Sequence, residues 1–247
     1  MKPISPDQSN KQDIIEDLLK NLPTETAVEV NLPSENRVYT LPDPAALTTM
    51  RPMTFEDEKA LVSAGQGQDP INIILGRCCT NLNVAELLPM DKLYLIMKLR
   101  EISYGDEYNT LLVCPSCREE NPTTIKLSQL NINPVPDDFC DPIDVFLPTL
   151  NKTAKVRLPR LKDEKYMQTT EESLSNIWRF VSQIAEYGDK HIVSEVLKKL
   201  PIKDMRVILK AMKTEYGVET KVKFDCKKCK VQSVVELPIN ANFFDVN

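Results

Sequence analysis

Glycine is scarce. Six in 247 residues leave little material for a turn that cradles phosphate, and no Gly-rich phosphate loop occurs. Histidine is scarcer still. The single one, His191, stands between Lys190 and Ile192 with no nucleophile beside it, so it reads as a surface or helix-capping residue. There is no HExxH metal-protease motif and no GxSxG nucleophile elbow. Carboxylates are plentiful but scattered, and runs such as Glu56-Asp57-Glu58 read as solvated helix starts. These absences argue against an enzyme. No apolar run reaches the roughly 20 residues of a membrane-spanning helix. Met1 to Gln12 is polar and lacks the apolar core of a secretory signal, so the chain is expected to stay where it is made. An excess of positive charge is missing too. Lys and Arg number 31 against 36 Asp and Glu, a net charge of −5, which disfavours a protein whose main work is binding nucleic-acid phosphates.

Proline and cysteine are what the chain has. Eighteen prolines with so few glycines indicate a rigid, segmented structure. At 42% apolar and 27% charged, the composition is that of a globular protein with a sizeable core, in one large domain or two modest ones. Four of the seven cysteines form two short pairs, Cys114-Pro115-Ser116-Cys117 and Cys226-Lys227-Lys228-Cys229. Cys78, Cys79 and Cys140 remain. In a reducing compartment, paired CxxC motifs signal metal or redox chemistry rather than structural disulfides.

The two pairs occupy the same place in two copies of a longer pattern. Written above Leu200–Cys229, Leu88–Cys117 aligns without a gap at a constant offset of 112. Leu88-Pro89 lies over Leu200-Pro201, Tyr104-Gly105 over Tyr216-Gly217, Glu107 over Glu219, and each cysteine over its counterpart. Ile96 and Lys98 match Ile208 and Lys210. Weaker echoes extend upstream: Leu32-Pro33 over Leu147-Pro148, and Asp57-Glu58-Lys59 over Asp163-Glu164-Lys165. The expected fold is α+β, an internally duplicated module of a strand pair, helices and a CxxC knuckle. The expected organisation is a lead and amphipathic helix over 1–26, copy one over 27–128, a linker over 129–142 and copy two over 143–247.

Local patterns set the expected elements. Residues 1–12 form a disordered lead, and Asp13 to Leu22 a helix with Ile14, Ile15, Leu18, Leu19 and Leu22 on one stripe, ended by Pro23. Ala27–Leu32 and Arg37–Leu41 alternate as a strand pair. Thr54 with Asp57 forms a capping box, and Asp69-Pro70 opens the next helix. Pro89–Tyr104 is a helix whose apolar face carries Leu93, Ile96, Met97 and Leu99, with Gly105 as its C-terminal cap. Tyr108–Val113 and Thr123–Leu127 are strands flanking the first knuckle. In copy two, Ile143–Leu147 and Ala154–Leu158 are strands. Glu171–Tyr187, Lys190–Leu200 and Pro201–Tyr216 are helices, the last with Ile202, Met205, Ile208, Leu209 and Met212 inward. Val222–Asp225 and Val234–Leu237 flank the second knuckle.

Strand–CxxC–strand knuckles present two sulfurs on one turn, and two facing knuckles complete a tetrahedral zinc site of the zinc-ribbon type. The usual separation between knuckles is roughly 15–20 residues. Here residues 118–225 intervene, so spacing alone argues poorly for the site. If the copies pack about a pseudo-two-fold axis, the equivalent knuckles meet on it and the intervening residues are a folded module. The expected ligands of one structural Zn2+ per chain are therefore Cys114, Cys117, Cys226 and Cys229. The alternatives are metal-free thiols, a thioredoxin-like redox pair, and zinc bridging two chains. The redox motif belongs at the start of a helix, whereas both pairs here follow strands. Cys78 and Cys79 read as buried small apolar residues, and Cys140 lies in the linker.

Lys221, Lys223, Lys227, Lys228 and Lys230 cluster around the second knuckle, either as a solvated tip or as a contact surface for an acidic partner or nucleic acid. The first knuckle carries Arg118-Glu119-Glu120 and is not basic, which weakens a nucleic-acid role. Phe243-Phe244 either packs on the protein's own core or docks on a partner.

The runs RPMTFEDEKAL (51–61), PINIILGRCC (70–79) and LLPMDKLYLIMKLREISYGDEYNTLLVCPSC (87–117) resemble a known family, the baseplate hub assembly proteins of T4-like tailed bacteriophages, or T4-type baseplate proteins. The similarity covers roughly 51–130, with a weaker echo in copy two. CKKC departs from the pattern by lacking the proline of CPSC. The resemblance implies a non-enzymatic role in building the central hub of the baseplate, as hub component or assembly factor. The implied partners are other tail and hub proteins, met in the host cytoplasm during assembly, and the chain then either stays in the virion tail baseplate or leaves. The competing readings are a zinc-ribbon nucleic-acid-binding regulator and a thiol oxidoreductase.

Overall fold

The structure, a computed structural model, describes residues 8–20, 27–63, 65, 69–213, 216–239 and 241–244. It mixes helices and strands in the α+β manner. Helix α1 (Gln8–Leu19) starts within the stretch expected to be a disordered lead, and Pro23 lies outside the described residues. The apolar side chains Ile14, Ile15, Leu18 and Leu19 are exposed. Strands β1 (Val28–Glu29), β2 (Thr49–Met50) and β3 (Cys79–Thr80) form an antiparallel sheet in that order. The expected pairing of 27–32 with 37–41 does not form. Glu35 and Asn36 take positive φ, the Ser34 amide donates to Asp91 Oδ1, and the Tyr39 hydroxyl donates to Asp91 Oδ2. Those bonds wrap residues 34–39 over a helix start, and β1 pairs with β2 instead.

Helix α2 (Phe55–Val62) opens on the expected Thr54–Asp57 capping box, and α3 (Pro70–Cys78) on Asp69, whose Oδ1 accepts from the Ile71 amide. Helix α4 (Pro89–Tyr104) has the expected limits. Proline is tolerated at its first position because that N–H has no partner in the helix. Gly105 ends it at φ +94°, where a side chain is strained. Strands β4 (Glu107–Val113) and β5 (Glu120–Lys126) form one ribbon. Within the expected linker, β6 (Ile132–Asn133) pairs with β10 (Gly217–Val218).

The second half begins with β7 (Ile143–Leu147) and β8 (Lys152–Val156). The helix expected over 171–187 is broken. Helix α5 (Thr170–Ser175) is followed by one turn and then β9 (Val181–Ile184), which pairs with β8. Val181 and Ile184 bury their side chains under that sheet, so packing overrides any helical tendency of the stretch. Helices α6 (Lys190–Lys199) and α7 (Ile202–Ala211) follow. Helix α7 is shorter than expected, and Ile202 is 69% exposed rather than inward. Strands β11 (Lys221–Asp225) and β12 (Gln232–Glu236) make the second ribbon.

Equivalent hydrogen bonds recur in the two halves. Arg51 reaches Asp57 at 2.6 Å, and Arg157 reaches Asp163 at 2.7 Å. The Thr54 and Arg160 amides both donate to those carboxylates at 2.9 Å. The Arg51 amide bonds Cys78 O, and the Arg157 amide bonds Phe180 O. The β1-β2-β3 order is repeated by β7-β8-β9, with Met50 opposite Cys79 and Val156 opposite Val181. Asp91 and Asp204, each in the first turn of its helix, accept the amides of Ser34 and Thr149, which follow the two Leu-Pro dipeptides. Gly217 shares the φ of Gly105, +94°.

The main core gathers Leu75, Leu87, Leu95 and Leu99 with Leu237, Phe243 and Phe244 from the end of the chain. Phe243 stands edge-on to Tyr108 at 4.8 Å, and Arg100 Nε donates to Phe243 O at 2.7 Å. The two aromatics thus pack on the protein itself. A fully buried phenylalanine or leucine contributes about 1.5–3 kcal/mol. A second core packs Val145, Leu147, Val156, Val193 and Ile208.

Candidate metal centre

Each ribbon places its cysteine pair on the turn between its strands. The Cys114 amide donates to Glu119 O and the Arg118 amide to Cys114 O, both at 2.9 Å. In the other ribbon the Cys226 amide donates to Val231 O at 3.1 Å and the Lys230 amide to Cys226 O at 2.9 Å. Arg118 and Lys230, one residue past each pair, take φ of 62° and 58°. Those positive values curl the backbone so that both sulfurs of a pair point the same way.

The two turns face each other. Cys114 Sγ lies 3.7 Å from Cys229 Sγ, and Cys117 Sγ lies 3.6 Å from Cys226 Sγ. All four sulfurs lie within 4.8 Å of one another, a group able to hold a metal ion. Cys114 and Cys226 are fully buried, and Cys117 and Cys229 are half-buried. The three remaining thiols stay apart from this group. Burial pushes the Cys78 thiol up to about 11 and the Cys79 thiol up to about 12, while Cys140 is exposed. His191 is exposed on the first turn of α6.

The electrostatics favour negative sulfur at two positions. The amides of Cys117 and Ser116 point at Cys114 Sγ and lower its thiol below the ordinary range. The amides of Cys229 and Lys228 do the same at Cys226, down to about 6. Cys117 is pushed the other way, to about 12. The Glu119 amide favours its thiolate, but burial and the neighbouring sulfurs outweigh it.

Asn121 is the residue that sequence reasoning missed. It is buried on β5, and its Oδ1 accepts from the Lys227 amide of the opposite knuckle at 2.8 Å. Its Nδ2 donates to Glu119 O at 2.9 Å and approaches Cys226 Sγ at 3.7 Å. One amide side chain therefore joins the two turns and faces a buried sulfur. The corresponding position in the second ribbon is Ser233, which lacks the reach. An exposed ion pair, Lys228 with Glu119 at 2.7 Å, also crosses between the knuckles. It contributes little in solvent.

The two ribbons and their four converging cysteine sulfurs define an α+β protein with a candidate metal site. A family profile described as T4 bacteriophage base plate protein matches residues 27–245. The chain belongs to that family. No curated protein and no solved structure matches it. No helix among the described residues is long and apolar enough to cross a membrane.

Proposed function

We propose that this chain is a non-enzymatic protein of the phage baseplate central hub. In this reading it acts by protein–protein contacts, as hub component or assembly factor, and is held in shape by one structural zinc ion. It meets its tail partners in the host cytoplasm, and as a hub component it would enter the virion tail, whereas as an assembly factor it would leave. The observation that carries the role is the family match over 27–245. The module reading, 27–128 and 143–247 joined by 129–142 and preceded by 1–26, rests on the hydrogen bonds that recur between the halves.

The zinc reading rests on the sulfur geometry. A tetrahedron with Zn–S bonds of about 2.3 Å has sulfurs about 3.8 Å apart. The cross-knuckle pairs at 3.6 and 3.7 Å fit that spacing. Four thiolates suit zinc and fill its coordination shell, so the ion supplies folding energy rather than a reactive site. Cys114, Cys117, Cys226 and Cys229 would hold it. Asn121→Ala removes the side chain that joins the knuckles and should weaken metal affinity about 10–100-fold, the usual cost of an outer-sphere ligand partner. Competition with a chromogenic chelator measures it, and an unchanged affinity would deny Asn121 this part.

The functional reading is tested by co-purifying the chain with the tail proteins encoded beside it and probing finished particles for it. Association with hub proteins is expected, whether or not the chain stays in the particle. Absence from every baseplate intermediate and failure to bind any tail protein would overturn the reading.

A further inference from the structure

A groove of about 460 Å³ runs between the two ribbons, lined by residues 123–126 of β5 and 221–223 of β11. Successive residues of a strand point to opposite faces. A space that touches four in a row on one strand and three in a row on the other is therefore bounded by strand edges, not by strand faces. Neither outer edge pairs with another strand among the described residues, where β5 pairs with β4 alone and β11 with β12 alone. Pro122 has no N–H and its carbonyl accepts from Lys227 Nζ at 3.3 Å, but beyond it each edge presents backbone donors and acceptors, a template for another strand. The groove's apolar lining is Leu112, Ile125, Leu130 and Val222.

The matching place on the other side of the clamp is filled. There Tyr108 Oη donates to Pro238 O at 2.8 Å, tying β4 to the stretch after β12, and Phe243 packs against the Tyr108 ring. At the offset of 112 this aromatic pair corresponds to Thr220 and Asn131, both small and polar. The chain plugs one gap with its own aromatics and leaves the other open.

Charge identifies the occupant. Lys126, Lys221 and Lys223 line the open groove against one carboxylate, Glu219. None of the three lysines forms an ion pair among the described residues. Lys227 and Lys230 are exposed on the adjoining knuckle. We infer that this groove takes one extended acidic segment of a partner protein, inserted as a strand between β5 and β11. Its backbone pairs with both edges, its aliphatic side chains meet Leu112 and Val222, and its carboxylates meet the three lysines. Five strands then replace two separate ribbons. The inference deepens the reading of a scaffold acting through protein contacts and rests on it.

The test uses the full chain with its metal and a fluorescent peptide alternating glutamate and valine. Saturable binding is expected. The Lys221→Glu/Lys223→Glu double variant, whose substitutions are exposed and leave the fold intact by circular dichroism, should weaken it about tenfold or more through like-charge contact. Two N-methylated peptides carry the backbone test. Each blocks the amides facing one edge, and an inserted strand tolerates neither, whereas a peptide held by charge tolerates both. No saturable binding, or indifference to both methylations, overturns the inference. So does equal competition by an oligonucleotide of the same charge. Self-association lost in the double variant would make a second copy the occupant and also overturn it. The same variant is then tested for tail-protein binding. Retained partners alongside a peptide that does not bind sink the groove and leave the hub reading standing. A wild-type chain that binds the peptide but no tail protein does the reverse.

Discussion

Cys226→Ser should abolish metal binding and unfold both ribbons. The purified wild-type chain is expected to carry one zinc ion by native mass spectrometry, and the variant none. The magnitude follows from comparing two energies. A structural zinc site contributes about 10–16 kcal/mol of apparent free energy at neutral pH. The whole stability of a domain is about 5–15 kcal/mol. An ion held by the four sulfurs would therefore be worth as much as everything else together. The ribbons have little to fall back on, because β4–β5 and β11–β12 are each only two-stranded, and such hairpins are marginal alone. Cys226 is the informative choice. It is fully buried, its sulfur receives the Cys229 and Lys228 amides, and Asn121 faces it. Serine there leaves those donors around a hydroxyl that is a poor zinc ligand. A wild-type chain that holds no zinc, and whose four thiols alkylate freely while it stays folded, would end the metal reading.

The second large effect is expected far from the sulfurs, at Asp57. Its carboxylate is fully buried and receives Arg51 at 2.6 Å, Arg77 at 2.7 Å and the Thr54 amide at 2.9 Å. Asp57→Ala should cost about 1–3 kcal/mol, because it removes a carboxylate bonded to two guanidinium groups that solvent can still reach. Loss of the α2 cap is part of that figure. Urea unfolding measures it, and a loss below about 1 kcal/mol would show that water replaces the carboxylate cheaply. The pH dependence has a definite sign. Burial alone raises the Asp57 pKa, but the bonds from Arg51, Thr54 and Arg77 outweigh it and hold the group well below the usual carboxylate range. Asp163 is depressed too, its burial outweighed by Arg157 and the Arg160 amide. A depressed folded-state pKa stabilises the protein above the unfolded value of about 3.9. That contribution fades as pH falls below it towards the folded value. Asp57→Asn should therefore flatten the acid-unfolding profile below about pH 4.

How much of this was legible depends on where the determining contacts lie. Helix α4 could be read to the residue because its limits are local, a proline that starts it and a glycine that ends it. That the four thiols converge could be read because CxxC on a strand-to-strand turn is a local motif. Strand β9 could not be read. Nothing within 171–187 announces that Val181 and Ile184 will complete a sheet begun at Ile143. Residues 37–41 failed for the same reason, since Tyr39 and Ser34 answer to Asp91, more than fifty positions away. Asn121 was invisible because its partner, the Lys227 amide, is 106 residues distant. Even the gapless alignment misled slightly. It sets Asp91 over Lys203, whereas the carboxylate that repeats its bond is Asp204.

The spacing of the sulfurs also bears on synthesis. Cys117 and Cys226 are 109 positions apart, and Cys114 and Cys229 are 115. A ribosome releases the first pair long before the second, so the early half waits with two bare thiols and no second pair to close on. Phe243, which caps the early core, emerges later still. A chain cut short between residues 126 and 226 carries the first pair of thiols without the second to face it. An ion held by all four sulfurs would be captured only after translation has run through the second pair.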